Sequence, residues 1–192
     1  MPNWCFTEYV VTGEKSEIKD LHKKMKSLEK RKKSLVENGF GKTWMGNLVE
    51  LFGGDWKKTY CRGSWDIAEL TPDGNLYCTA ELAWEELSEW RRFIESQYKT
   101  VTFYFMSEEP GMQIYQTNDS NRDFFTRRYA IELEDNGREE FDTYDEARTY
   151  VEQTIGRELK DDEDLEESLY EWAKATKGDD FYVSFIEYEL VD

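Results

Sequence analysis

Three cysteines, one histidine, scattered carboxylates and a run of lysines are the residues of this chain able to do more than pack. Cys5, Cys61 and Cys78 are an odd number at wide spacing, which argues against a disulfide framework. Structural zinc sites use close pairs of the C-x2-4-C kind, and no such pair exists here. The thiols are therefore predicted to be reduced and buried. His22 lies near an apolar stripe, one residue from Leu21, and reads as a boundary histidine. With no second histidine and no recognisable nucleophile, a catalytic triad has no support.

The carboxylates Asp66, Glu81, Glu108 and Glu109 are of the type that a glycosidase sets in pairs across a cleft. Asp66 and Glu81 fall on the polar face of a predicted hairpin, where acids are ordinary. Gly39-Phe40-Gly41-Lys42-Thr43 ends like a phosphate loop. It lacks the first glycine at the required spacing and follows a helix instead of a strand. No catalytic residue, metal ligand or cofactor is assigned.

What remains is charge. The net charge is −17, unevenly spread. Residues 1–64 hold 13 Lys/Arg against 8 Asp/Glu, and residues 65–192 hold 12 against 34. So acidic a body repels phosphate backbones, which disfavours general nucleic-acid binding. The basic excess sits on the predicted first helix, in Lys19, Lys23, Lys24, Lys26 and Lys30 to Lys33 with Arg31 among them. Lys23, Lys24, Lys30 and Arg31 there, with Asp66 and Glu81 on the hairpin, form the candidate interaction surface.

These residues need elements to position them. Phe6 to Thr12 alternates as a strand. Ser16 reads as an N-cap, and Ile18, Leu21, Met25, Leu28, Leu35 and Val36 mark a long helix ending near Asn38-Gly39. A short helix is predicted over Trp44 to Leu51. Residues 57–69 and 75–84 read as a hairpin turning at Thr71-Pro72-Asp73-Gly74, with Ile67 opposite Cys78, Trp65 opposite Ala80, Gly63 opposite Leu82 and Cys61 opposite Trp84. A helix from Glu85 to Tyr98 follows. The next hairpin runs from Val101 to Thr117 through a type II turn at Pro110-Gly111. Residues 117–123 are polar and mark a boundary. Beyond it, a third hairpin turns at Asn136-Gly137, Thr143 caps a helix, and a further helix follows the acidic run at residues 161–164. Phe181 to Val191 is apolar on both faces and reads as an interior strand. The fold class is α+β, with helices on one face of a mostly antiparallel sheet. Trp4, Trp65, Trp84, Phe103 and Phe105 are the predicted core aromatics.

The opening Met1-Pro2-Asn3-Trp4-Cys5 with its strand resembles the YubB-type ferredoxin-like domain family. So do Arg62-Gly63-Ser64-Trp65-Asp66, the strand end from Ala80 to Trp84, and Glu108-Glu109-Pro110-Gly111-Met112. The resemblance covers residues 1–118 and implies a ferredoxin-like domain there, with residues 119–192 an acidic hairpin, helix and strand extension on the same core. Two departures stand out: Phe6-Thr7-Glu8 differs from the family's usual continuation, and the segment at Gly63 is one residue shorter. Family members are mostly uncharacterised bacterial proteins of plasmids, phages and other mobile elements, so the resemblance implies a fold and no known activity.

The expected function is a non-enzymatic protein-interaction module of a mobile element, whose sharper form is an acidic DNA mimic. The alternatives are nucleic-acid binding through the basic first helix and an enzyme of unknown class. A protein partner is expected over direct nucleic-acid binding, and the oligomeric state is open. No apolar run approaches the roughly 20 residues that span a bilayer. With no leader segment recognised, a cytoplasmic location without membrane association is expected.

Overall fold

The computed structural model describes residues 3–160 and 164–192. They divide into two compact units, residues 1–120 with 190–192, and residues 121–189. Within the first, β1 (Trp4–Thr12), α1 (Lys15–Glu29), α2 (Met45–Leu51), β2 (Gly63–Leu70), β3 (Leu76–Ala83), α3 (Ser88–Glu95), β4 (Thr102–Glu109) and β5 (Ile114–Thr117) follow in chain order. The sheet order is β2-β3-β1-β4-β5, and the short β9 (Glu189–Leu190) completes its edge. Strand β1 is antiparallel to both β3 and β4, and β2 to β3. The first four strands thus have the split β-α-β-β-α-β order of a ferredoxin-like sheet. The fold class is α+β, as the patterning predicts.

One sheet face is covered by helices. Cys5, Tyr9 and Val11 alternate inward from β1 and meet Ile18, Leu21, Met25 and Leu28 of α1, Met45 and Leu48 of α2, and Trp90 and Ile94 of α3. Each fully buried side chain of this size contributes roughly 1.5–3 kcal/mol of transfer free energy. Trp65 and Phe105 also lie in this core, as expected.

Helix α1 departs from the prediction at both ends. It begins at Lys15 after Glu14 with no side-chain cap, so Ser16 is not the N-cap, and it stops at Glu29 instead of near Gly39. The stop is tertiary. Lys42 donates to the Glu29 carbonyl at 2.6 Å, and the buried Asn47 accepts from the Val36 N–H at 3.0 Å and donates to the Gly41 and Lys42 carbonyls at 3.0 Å. Leu35 and Val36 pack on the core from this loop.

The first hairpin keeps the expected pairs Gly63 with Leu82 and Trp65 with Ala80. A bulge at Asp66 then shifts the register, so Ala68 faces Cys78 and Ile67 turns outward. Cys61 lies before β2 and pairs with no strand residue; its thiol points to the Trp56 carbonyl at 3.6 Å. The predicted type II turn is instead a 3-10 turn, Pro110–Met112, because the Glu109 carboxylate accepts from the Gly111 and Met112 amides at 3.0 and 2.6 Å.

The second unit holds β6 (Tyr129–Leu133), β7 (Gly137–Phe141), α4 (Tyr144–Ile155), α5 (Leu165–Thr176) and β8 (Val183–Glu187), with sheet order β7-β6-β8. Gly137 takes φ 76°, as the Asn-Gly turn requires. Thr143 and Glu146 form a reciprocal capping box on α4. Ile131 and Leu133 pack on Ala147, Val151, Leu165 and Leu169 in a separate core. Strand β8 is an edge strand, not an interior one, and the predicted final strand is split at Tyr188. Asp161 to Glu163 lie outside the described residues; Asp164 caps α5 by accepting from the Glu167 amide at 2.9 Å.

Candidate functional site

The cations of the first helix separate on folding. Residues 19, 22, 23, 26 and 30 recur at three- and four-residue spacing, so Lys19, Lys23, Lys26 and Lys30 share the outer side of α1 with His22. Lys24 does not join them. It pairs with Asp20 and lies 5.2 Å from the Phe52 ring centre, so its charge is used within the fold. The Lys24 contact holds the Asp20 carboxyl below its ordinary range. Lys26 likewise pairs with Glu29 at 2.9 Å. Arg31 follows the helix in a loop with Lys32 and Lys33.

Asp66 and Glu81 do not join this basic side. Glu81 projects from the sheet face opposite the helices, and Asp66 is the extra residue of the β2 bulge. The six predicted surface residues therefore form no single site. Lys23 and Lys30 stay together, Arg31 lies in the loop beyond the helix end, and Glu81 gains other company.

That company is aromatic. Along β1 the outward residues are Trp4, Phe6, Glu8 and Val10. Trp4 is 45% exposed and Phe6 46%, so the expected burial of Trp4 is overturned. The alternation puts Cys5 inward, and its neighbours must then face out. Reading across the strands, Ser64, Glu81, Phe6 and Glu108 form one row on this face. Glu81 is exposed directly opposite Phe6. Trp84, also predicted as core, is 39% exposed. Its amide donates to the Asn3 carbonyl at 3.0 Å, which places its backbone beside Trp4. Trp84 has φ 76°, an unusual conformation for a bulky residue. Periodicity marks these aromatics as strand residues but not which face is covered; the inward thiol of Cys5 was the available signal.

The remaining chemistry-bearing residues are quiet. All three cysteines are free and buried, as predicted. Burial pushes the Cys61 thiol up to about 11, and raises Cys5 and Cys78 as well. Such thiols hold little thiolate at neutral pH and are poor nucleophiles. Among the described residues no group of three or more His, Cys, Asp or Glu is placed to hold a metal ion. No described helix is long and apolar enough to cross a membrane.

A buried polar group lies inside the first core. Tyr9 donates to Glu86 at 3.0 Å, and Glu86 pairs with Arg91 at 3.3 Å. Arg91 also donates to the Asp192 carbonyl at 2.9 Å and stacks 5.2 Å from the Phe105 ring centre. Each member is satisfied by another, which is the mark of a structural network.

Comparison with protein-family models, with curated proteins and with solved structures gave no match.

Proposed function

We propose that this protein is a non-enzymatic interaction module that docks a Lys/Arg-bearing protein segment on the outer sheet face at Trp4, Phe6, Glu81 and Trp84. The observation that carries the reading is Phe6, 46% exposed, set directly across from the exposed Glu81. Exposed aromatic faces attract guanidinium and ammonium groups, at about 0.5–1 kcal/mol for exposed sites and more when desolvated. A carboxylate beside the ring supplies the counter-charge, and the net charge of −17 speeds the approach of a basic partner. Aromatic anchors of this type dominate binding energy at protein interfaces. The YubB-type resemblance is proposed with it, supported by the β2-β3-β1-β4 order. An acidic DNA mimic is the special case in which the partner's basic groove normally holds DNA.

The test is titration of the intact protein with an arginine-rich peptide and, separately, with duplex DNA, at low and moderate salt. Salt-sensitive peptide binding that is lost in Phe6→Ala and Glu81→Lys, and kept in Lys23→Glu with Lys30→Glu, supports the reading. Absence of peptide binding, or binding indifferent to Phe6 and Glu81, sinks it. Duplex binding that disappears when Lys23, Lys30 and Arg31 are neutralised would install the basic helix as the functional face instead.

A further inference from the structure

A cleft of about 610 Å³ opens in the first unit between the loop before α2 and residues 56–62. Its volume is in the range of small-ligand sites. Four aromatics line it: Phe40, Trp44, Trp56 and Tyr60. Three cations share the lining, Lys57, Lys58 and Arg62, against the single carboxylate of Glu89. Lys58 is already paired with Asp55 at 3.5 Å, so Lys57 and Arg62 carry the positive charge of the cleft.

The aromatic walls are held in place from below. Trp44 precedes α2, its ring lies flat on Gly46, and a Cβ at that glycine would come within 2.3 Å of the ring. The Thr43 carbonyl accepts from Trp65 at 3.1 Å, and Trp44 bridges to Ser64 of β2. Trp56 meets Trp44 edge to face, with ring centres 5.2 Å apart at 75°. The loop carrying Tyr60 is fixed by its amide donating to Glu89 at 2.9 Å, which also uses that carboxylate. Asp55 accepts from the Lys57 amide at 3.1 Å and steadies the turn. Lys57 lies 5.5 Å from the Trp56 ring centre, so a cation and an aromatic face stand side by side.

One donor in this wall is unused. Trp44 is buried, and its indole N–H has no acceptor among the described residues. That N–H is itself sealed from solvent, so it belongs to the packed base of the cleft and makes no contact with a ligand in this conformation. The combination of π-faces and cations suits a flat heteroaromatic group carrying phosphate.

We propose that the cleft binds a phosphate-bearing nucleobase, with the base against Trp56 and Tyr60 and the phosphate near Lys57 and Arg62. A free nucleotide and an exposed base of a single strand share this chemistry. The acidic remainder of the chain penalises a long polyanion more than a mononucleotide, so the free nucleotide is the favoured source.

The experiment is calorimetric titration of the intact protein with ATP, with inorganic triphosphate and with a short oligothymidylate. ATP should bind saturably and more tightly than triphosphate. Tyr60→Leu should weaken ATP binding by about tenfold, the scale of losing one base-stacking partner. Lys57→Ala with Arg62→Ala, which alters surface residues only, should weaken it further and reduce its salt dependence. Oligothymidylate binding that exceeds ATP binding, and is lost in the same variants, makes the single strand the source. No saturable binding of either ligand, equal binding of triphosphate and ATP, or binding unaffected by Tyr60 and Arg62 overturns the proposal.

Discussion

Tyr9 and Glu86 meet 77 residues apart in sequence, the hydroxyl donating to the carboxylate at 3.0 Å within the first core. Glu86 is 7% exposed and its partner Arg91 5%. Burial holds the Glu86 carboxyl above its ordinary value of 4.5, while Arg91 and the Tyr9 hydroxyl oppose that shift. The native state therefore holds this proton more tightly than the unfolded chain does. The group's contribution is most favourable below the ordinary value and declines as pH rises toward the raised one.

Glu86→Gln should keep the Tyr9 contact yet leave Arg91 with the Asp192 carbonyl and, as a charged partner, the more distant Glu95 at 3.9 Å. Removing one partner of a buried pair costs about 3–5 kcal/mol, whereas replacing both by apolar groups is often neutral. Urea denaturation should find Glu86→Gln strongly destabilised and Glu86→Gln with Arg91→Met largely recovered. The double variant should also lack the decline with pH that Glu86 produces. A double variant as weak as the single one would contradict this account.

Glu17 works in the opposite sense. Its carboxylate accepts from the Thr100 hydroxyl at 2.6 Å and from the Thr100 and Lys99 amides at 3.0 and 3.1 Å, tying the start of α1 to the loop before β4. The Thr100 hydroxyl, followed by the Lys99 amide, holds its pKa below the ordinary 4.5. The stabilisation is present in full above that ordinary value and is lost as pH falls through the lowered one. Denaturation midpoints of the wild type and Glu17→Gln should therefore differ at neutral pH and converge on acidification. A gap that persists at strongly acid pH would show that the clamp is not electrostatic.

Two tryptophans predicted alike separate in the structure. Trp65 is fully buried and donates from its indole to Glu29 at 3.1 Å, whereas Trp4 is 45% exposed and touches Phe40 edge to face. Trp65→Ala should cost roughly 3–5 kcal/mol, as large-to-small core aromatic changes do. Trp4→Ala should cost about 1 kcal/mol or less, as a surface change does. Thermal melts of the two variants decide it, and comparable losses would return Trp4 to the core.

This pair shows where the sequence stops being legible. Trp65 was readable because its hairpin partner Ala80 and the turn at residues 71–74 fix a register. Trp4 was not, because an aromatic in an alternating strand scores equally on either face until the covering helices are known. The bulge at Asp66 moves the phase by one residue without a glycine or proline to announce it. Helix α1 stops at Glu29 through hydrogen bonds from Lys42 and the loop around Asn47, while Lys30 to Lys33 are helix-compatible by themselves. The cap at Thr143 and the turn at Gly137 were visible because each is local chemistry. The aromatic cleft was invisible, since Phe40, Trp44, Trp56 and Tyr60 share no period and converge only through loops.

Trp84 joins strain to exposure. A non-glycine residue with positive φ costs roughly 1–2 kcal/mol, and Trp84 adopts φ 76° with 39% of its surface exposed. A ring that packs a core would repay that cost by burial, but this one leaves much of itself in water. Strain held at an exposed aromatic is a mark of surfaces that bind. Two substitutions separate backbone from ring. Trp84→Gly and Trp84→Ala both delete the indole, and only alanine keeps the unfavourable φ. The glycine variant should therefore be the more stable by about 1 kcal/mol, the reverse of the usual order inside regular structure. Both should lose the arginine-rich peptide to a similar extent, because both lose the ring. Equal stabilities in chemical denaturation would remove the strain, and an intact peptide affinity in both variants would remove Trp84 from the docking face.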